Sequence, residues 1–348
     1  MSPSLRPAPG RSLSHPDTLR FRLGIGPQGG QRARPRAQIL PRMALNDGGR
    51  SVEQFRPSIL YPDLRVLERT WEPSAGAPKG GLLMVHGGMW HSGWFGPFGD
   101  AVCDAAGVRV TALDLPSHGK SDDIEGYRGY TSRFKDFVEE AGATLDRLRA
   151  SLPDGAPVAV LGESMGGLVT LLLALEPGVA EKIRGLVLLA PLIRPAAAVM
   201  PPKPVVAVVK LIGRLFPRLV MPGNELSGES FDLAFGDAEV AEMAKRDPLV
   251  QYGEDVRIGT MAGALSACDE LESRFGELAV GSVVVLQNEG DVRTEIARSE
   301  DMLGRIGRVR DRELVRLPGT AHQLFQDAPG VREENVARVA KVVRKMCA

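Results

Sequence analysis

The chain has little cysteine, no excess of either charge and no long apolar run, and each absence excludes a class of protein. Its three cysteines, Cys103, Cys268 and Cys347, are odd in number and far apart. That argues against a disulfide framework or a zinc knuckle and favours a reducing compartment. The 43 basic and 43 acidic side chains cancel, so we expect no nucleic-acid partner. No uninterrupted apolar run reaches the roughly 18–20 residues of a transmembrane helix.

The zero net charge hides an asymmetry along the chain. Up to Arg42 there are eight arginines and a single acid, Asp17, among many proline, glycine and serine residues. This composition predicts a disordered basic extension over residues 1–50, and it is also typical of an organelle transit peptide. The alternatives are an extension without a targeting role or a chain that starts at Met43. The expected location is cytoplasmic or organellar, in a plastid or mitochondrion.

From residue 51 onward, short apolar runs alternate with amphipathic stretches, which is typical of a mostly parallel α/β sheet flanked by helices. Seven strands are predicted, at residues 64–71, 80–85, 108–113, 157–161, 185–190, 282–287 and 313–317. The clearest predicted helix covers residues 131–152, because its apolar side chains recur at steps of three and four. Residues 166–176 and 331–346 are two further predicted helices.

One region interrupts this alternation. From residue 192 to about 257 there is no clear strand, and the sequence becomes rich in proline and then helical. We predict a helical cap at residues 192–257, inserted into a core formed by residues 51–191 and 258–348. Within it, apolar residues over 205–221 alternate with Lys210, Arg214 and Arg218. This face either lies on lipid or packs over the core.

The chemistry starts at residues 158–167, with the sequence VAVLGESMGG. A buried strand followed at once by Gly162-x-Ser164-x-Gly166 and then an apolar helix is the pattern of a nucleophile elbow. The glycines are needed because the sharp turn brings neighbouring backbone too close for side chains. The pattern therefore predicts that Ser164 is a nucleophile.

A serine nucleophile needs a base and a third group that orients the base, in the chain order Ser, Asp or Glu, His. Four of the five histidines precede Ser164, so only His322 can be the base. It follows the last predicted strand in a turn. Asp291 follows the strand before that one and is the predicted acid, with Glu289 as its nearest rival.

The oxyanion of the tetrahedral intermediate also needs donors, usually the N–H after the nucleophile and one from the loop after an earlier strand. Met165 provides the first. Gly88 is the candidate for the second, because it lies in a Gly-Gly turn at the end of a predicted strand. We interpret the neighbouring His86 as structural.

Five segments together resemble the monoacylglycerol lipases and related lysophospholipases, hydrolases of the serine aminopeptidase S33 type: residues 85–93 (VHGGMWHSG), 112–121 (ALDLPSHGKS), 162–167 (GESMGG), 189–192 (LAPL) and 246–249 (RDPL). The resemblance covers residue 64 to the C-terminus. It implies an α/β-hydrolase fold, hydrolysis of a small-molecule lipid ester without a cofactor, and peripheral membrane contact through the cap. It matches Ser164, Asp291 and His322 to the catalytic triad and Gly88 and Met165 to the oxyanion donors.

The sequence departs from the family at four places. Trp90 and Trp94 replace an acidic and an arginine side chain that help the family bind the glycerol alcohol, and Phe325 replaces a polar position after the histidine. We expect these three aromatic residues to contact substrate. A site without polar partners discriminates less well between alcohols, so the pattern supports ester hydrolysis more than monoacylglycerol as the substrate. Asn288 stands where the acid turn usually has glycine.

Other functions of the same fold stay open. An amidase or aminopeptidase uses the same triad but needs an acidic group to hold a free amine. An acyltransferase is suggested by the H-x₄-D spacing of His118 and Asp123, which we interpret as coincidence. A non-catalytic ligand-binding protein usually has a broken triad, and this one is intact.

Overall fold

A single eight-stranded sheet runs through the part of the chain that the structure, a computed structural model, describes: residues 47–197, 200–220, 229–253 and 256–348. In chain order, the strands are β1 Val52–Pro57, β2 Arg65–Trp71, β3 Gly81–Val85, β4 Arg109–Leu113, β5 Val158–Glu163, β6 Gly185–Leu189, β7 Ser282–Asn288 and β8 Asp311–Leu317. Their order across the sheet is β1-β2-β4-β3-β5-β6-β7-β8. Only the β1–β2 and β2–β4 pairs are antiparallel. The predicted extension lies almost wholly outside the described residues.

The helices cover both faces of this sheet. They are α1 Gly96–Ala106, α2 Lys135–Ala150, α3 Met165–Ala174, α4 Lys203–Leu215, α5 Glu229–Asp232, α6 Ala238–Arg246, α7 Ile258–Arg274, α8 Ile296–Arg305 and α9 Val331–Met346. One apolar layer joins α2, α3 and the second half of α7, and the other joins α1 and α9. Alternate residues of the central strands enter the two layers, as the period of two in a strand requires. The parallel strands are therefore buried on both sides.

All seven predicted strands are confirmed, with ends within two residues of those expected. The three predicted helices correspond to α2, α3 and α9. The sequence missed β1, because five of its six residues are exposed and its side chains lack an apolar period. It also missed α1, whose first residues, Gly96 and Pro97, look like a turn.

In the described part of the chain between β6 and β7, where the sequence predicts an insertion, there are four helices, α4 to α7. α4 crosses the first half of α7 closely, since a Cβ on Gly213 would lie 3.0 Å from the carbonyl oxygen of Ile258. The second half of α7 packs in the core through Cys268 and Leu271. α7 therefore ties the insertion to the sheet. The division into a cap at 192–257 and a core on either side stays a prediction.

Candidate active site

Ser164 lies at the turn between β5 and α3, with φ 51° and ψ −117°. A positive φ is strained for a residue with a side chain. The turn tolerates it because glycines flank it: a Cβ on Gly162 would overlap the carbonyl oxygen of Gly166, and one on Gly166 would overlap that of Val85. The sequence thus forms the sharp elbow that presents the hydroxyl beyond the end of the strand.

The structure brings the three predicted residues together. His322 Nε2 lies 2.8 Å from Ser164 Oγ, and His322 Nδ1 lies 2.8 Å from Asp291 Oδ2. Asp291 follows β7 and His322 follows β8, so both side chains come from carboxyl ends of neighbouring parallel strands. Backbone N–H groups of His322 and Gln323 both donate to the carbonyl oxygen of Ala234, at 2.9 Å each. The loop that carries the imidazole is thus attached to the insertion.

Asp291 is held in its ionised form. Burial by itself would raise the pKa of this carboxyl group, but the charge of His322 and its hydrogen bond, together with the N–H of Arg293 and the hydroxyl of Thr294, hold the pKa below its ordinary value. Charge-assisted bonds of this kind are short and strong. The carboxylate can therefore accept from Nδ1 and leave Nε2 to receive a proton from Ser164.

Glu289, the rival acid, takes no part in this arrangement. It is more than half exposed, and its carboxylate lies 3.6 Å from the guanidinium of Arg316. Asn288 donates from its side-chain nitrogen to the carbonyl oxygen of Ala321 at 2.7 Å. The side chain that departs from the usual glycine thus fixes the turn immediately before His322.

The loop after β3 reaches Ser164. A Cβ on Gly87 would lie 3.3 Å from Ser164 Cβ, and one on Gly88 would lie 3.3 Å from Met165 Sδ. Met165 is the first residue of α3, so its N–H belongs to the unpaired, positive end of a helix. The two predicted oxyanion donors therefore lie on adjacent pieces of backbone beside Ser164.

Two histidines near this loop, His86 and His118, bond to backbone groups and not to Ser164. His86 Nδ1 bonds to Gly87 O at 2.7 Å, and its Nε2 accepts from the N–H of Leu115 at 3.0 Å. Burial lowers its pKa to about 4, so the ring is neutral. His118 bonds to Pro116 O at 2.9 Å, whereas Asp123 lies 3.4 Å from a nitrogen of Arg128. The two members of the H-x₄-D spacing thus have different partners, which fits coincidence.

A cavity of about 240 Å³ opens at Ser164. Ser164, His322, Gly88 and Met165 line it, and most of its remaining wall is apolar, including Met89, Trp90, Leu192, Phe231, Phe235 and Met261. Pockets with an apolar lining and a few convergent polar groups are the usual form of small-molecule sites. Of the three aromatic residues expected to contact substrate, Trp90 lies in this wall.

Trp94 and Phe325 lie elsewhere. Trp94 is fully buried beneath the loop and donates from Nε1 to Asp247 Oδ2 at 3.0 Å. Phe325 belongs to a short 3₁₀ turn, Leu324–Gln326, which directs its ring into the core, stacked on Phe98 with centroids 4.8 Å apart. Both residues occupy positions that are polar in the family, and both side chains pack in the interior. We therefore no longer expect either of them to contact substrate.

Sequence reasoning missed the bonds that tie the insertion to the oxyanion loop. Asp247 Oδ2 bonds to His91 Nε2 at 3.1 Å as well as to Trp94, and the N–H of Gln251 donates to Met89 O at 3.1 Å. The only signal was the RDPL segment, which carries Asp247. No spacing rule connects it to a histidine 156 residues away.

A second missed pair lies beside the nucleophile and the imidazole. The carboxyl group of the fully buried Glu163 lies 2.7 Å from the side-chain amide of Gln323. Burial raises its pKa to about 8, so this carboxyl group is protonated at neutral pH. The sequence shows both residues as neighbours of Ser164 and His322 but gives no sign that they meet.

A family model described as serine aminopeptidase, S33, matches residues 76–329. The caffeoylshikimate esterase of Arabidopsis thaliana is 29% identical over 292 residues, 82% of each chain. The human monoglyceride lipase is 28% identical over 267 residues, 76% of this chain and 81% of the lipase.

Two solved structures are similar in fold. The monoacylglycerol lipase of Paleococcus ferrophilus has a TM-score of 0.66 at 24% identity, covering 81% of this chain and 99% of that one. A soluble variant of the monoglyceride lipase of Saccharomyces cerevisiae, solved with a substrate analog, has a TM-score of 0.72 at 16% identity, covering 86% and 96%. These likenesses confirm the α/β-hydrolase fold that the sequence predicts.

Proposed function

The chain belongs to the serine aminopeptidase S33 family, and from that premise we propose that it is a serine hydrolase of carboxylic esters with lipid-like substrates. The observation that carries the proposal is the hydrogen-bonded series from Ser164 through His322 to Asp291 beside an apolar cavity. Monoglyceride lipases and an esterase among its relatives support the ester as the reacting bond.

In the proposed reaction, Ser164 Oγ attacks the carbonyl carbon of the ester while His322 Nε2 takes its proton. Asp291 holds the imidazole in the required tautomer and stabilises the imidazolium. The N–H groups of Gly88 and Met165 donate to the oxyanion. His322 then protonates the departing alcohol, and the acyl group stays on Ser164. A water molecule, deprotonated by His322, releases the acid and restores the serine.

The cavity supports an apolar acyl group. Its wall includes aromatic, leucine and methionine side chains, and methionine adapts to flexible apolar ligands. Burial of apolar surface contributes about 25 cal/mol per Å², so a fatty or aryl acyl chain would gain most of its binding free energy here. Monoacylglycerols and lysophospholipids are the substrate classes that we propose.

The surface of α4 supports peripheral membrane contact. No helix among the described residues is long and apolar enough to span a bilayer. On α4, however, Val205, Val208, Leu211 and Leu215 are each about half exposed, and Phe216 and Leu219 continue the exposed apolar surface. Arg214 and Arg218 lie beside them, as in helices that bind at a lipid interface. The predicted stretch runs to residue 221, which lies outside the described residues.

Amide hydrolysis is the second candidate, because the family model carries the name of an aminopeptidase. An aminopeptidase needs an acidic side chain that binds the free amine of its substrate. Among the described residues that line the cavity, none is an aspartate or a glutamate. The described wall therefore favours esters.

The test is a substrate panel of monoacylglycerols, lysophospholipids, p-nitrophenyl esters and aminoacyl amides, assayed with wild type and Ser164→Ala. We expect hydrolysis of esters with medium or long acyl chains by the wild type, and a loss of at least about 10³-fold in the variant. Equal rates in both proteins would end the proposed role of Ser164. Faster hydrolysis of amides than of esters would establish the second candidate, and transfer of the acyl group to an added alcohol in place of water would indicate an acyltransferase.

A further inference from the structure

Both oxygens of the Asp291 carboxylate accept hydrogen bonds. Besides His322, one further side chain donates to Oδ2, the oxygen that bonds to the imidazole. Oδ1 accepts from the N–H of Arg293 at 2.8 Å and from the N–H of Thr294 at 3.3 Å. Oδ2 accepts from His322 Nδ1 at 2.8 Å and from Thr294 Oγ1, also at 2.8 Å. Thr294 is therefore the side chain that shares an oxygen with the base.

Gln287 determines the direction in which the Thr294 hydroxyl group donates its hydrogen bond. Gln287 Nε2 donates to the carbonyl oxygen of Thr294 at 2.6 Å and lies 3.2 Å from its hydroxyl oxygen. Ser299 Oγ in turn donates to Gln287 Oε1 at 2.6 Å. Because Gln287 donates to the hydroxyl oxygen, the single hydroxyl proton is left to point at a different acceptor. The nearest is Asp291 Oδ2; the carbonyl oxygen of Ala190 is farther, at 3.2 Å.

This arrangement is shielded from water. Gln287 and Ser299 have no exposed surface, and Thr294, which borders the cavity, is 3% exposed. Hydrogen bonds in such surroundings are stronger than in water, and a series of them is mutually reinforcing. The bonds from Ser299 through Gln287 and Thr294 all donate toward Asp291, and those from Ser164 through His322 donate toward it from the other side.

We propose that Thr294 is a positioning residue, whose hydroxyl holds Asp291 so that Oδ2 faces His322 Nδ1. Without it, the carboxylate keeps its backbone bonds through Oδ1 but is free to rotate Oδ2 away from the ring. The imidazole then loses its fixed orientation toward Ser164, which costs rate even when the change in geometry is small. This inference rests on the proposed Ser164 hydrolase function.

The test compares Thr294→Val, which keeps the shape of the side chain and removes the hydroxyl, with Thr294→Ser, which restores it. We expect Thr294→Val to lower kcat on a p-nitrophenyl ester by about tenfold or more with KM unchanged, since a charge-assisted hydrogen bond is lost. Thr294→Ser should stay within about threefold of wild type. The acid limb of the pH–rate profile should move to lower pH in Thr294→Val, because the imidazolium loses its aligned partner.

Thr144→Val is the matched control, because Thr144 is equally buried but lies on α2 and donates to Glu140 O at 3.1 Å. Its kcat and pH profile should equal those of wild type. If Thr294→Val does not fold, as judged by its thermal unfolding, Thr294→Ala replaces it in the same comparison with Thr294→Ser.

Wild-type kcat in the hydroxyl-free variant, or equal loss in Thr294→Ser, would overturn the proposal. So would a rise in KM at constant kcat, which would mean that Thr294 contacts substrate. These outcomes differ from failure of the proposed function, in which Ser164→Ala and wild type have equal activity.

Discussion

Helices α9 and α4 have similar lengths and comparable numbers of apolar residues, yet they use them in opposite ways. α9 buries Val336, Val339 and Val343 against the sheet. α4 buries only Val209 and Gly213 and leaves Val205, Val208, Leu211 and Leu215 about half exposed. An amphipathic pattern thus establishes that a helix has an apolar face but not what covers that face. Among the described residues, the helices of the sheet region bury their apolar faces, whereas α4 of the insertion leaves much of its apolar face exposed.

The sheet region and α4 should differ most strongly in their contribution to kcat. We expect Asp291→Asn, at the edge of the sheet, to lower kcat on a soluble ester by about 10³- to 10⁴-fold, because an amide favours the wrong tautomer of His322. Glu289→Gln, two residues away on an exposed side chain, is the control and should keep wild-type activity. A similar loss in both variants would mean that the turn, and not the Asp291 carboxylate, is what matters.

The second largest difference between the two regions should be in their contribution to the free energy of unfolding. Leu171 on α3 is fully buried, whereas Leu211 on α4 is 58% exposed. Truncation of a buried leucine leaves a cavity, so Leu171→Ala should lower the free energy of unfolding by about 2–5 kcal/mol. Leu211→Ala should change it by less than about 0.5 kcal/mol. Urea unfolding measures both, and a large loss for Leu211→Ala would show that α4 is covered in solution.

The sheet region should also carry a pH dependence of stability, through Glu163. Its pKa is about 8 in the fold and near the ordinary 4.5 in the unfolded chain. Between these values the folded protein binds a proton that the unfolded chain has released, so stability falls as pH rises, by at most about 1.4 kcal/mol per pH unit. Glu163→Gln should remove this slope between pH 5 and 8. A wild-type slope in the variant would assign the effect to other groups.

The smallest expected effect concerns the exposed surface of α4. Leu211→Glu should reduce binding to phosphatidylcholine–phosphatidylglycerol vesicles by about tenfold, since one apolar contact with lipid is replaced by a charge. Hydrolysis of a soluble ester should not change. Val52→Glu on β1, also highly exposed, is the control and should bind vesicles as wild type does. Unchanged binding by Leu211→Glu would leave α4 without a role at the membrane.

The sequence predicts the sheet region far better than the insertion. The central strands are continuous apolar runs, and the elbow has a local pattern around Ser164, so the strands and the sharp turn between β5 and α3 could be located directly. Asp291 and His322 followed because chain order left few candidates. Trp94 and Phe325 could not be placed, since a single residue of a short turn faces a pocket or the core according to packing that no period encodes.

The carbonyl group of Ala234 connects the insertion directly to the loop that carries His322. It accepts hydrogen bonds from the backbone N–H groups of both His322 and Gln323. His322 is therefore held from two sides, by Asp291 at the end of β7 and by the segment of the insertion that contains Ala234. Displacing that segment to admit a substrate would break two hydrogen bonds at the base itself. Any substrate entry that moved this segment would therefore also disturb the alignment of His322 with Ser164 and Asp291.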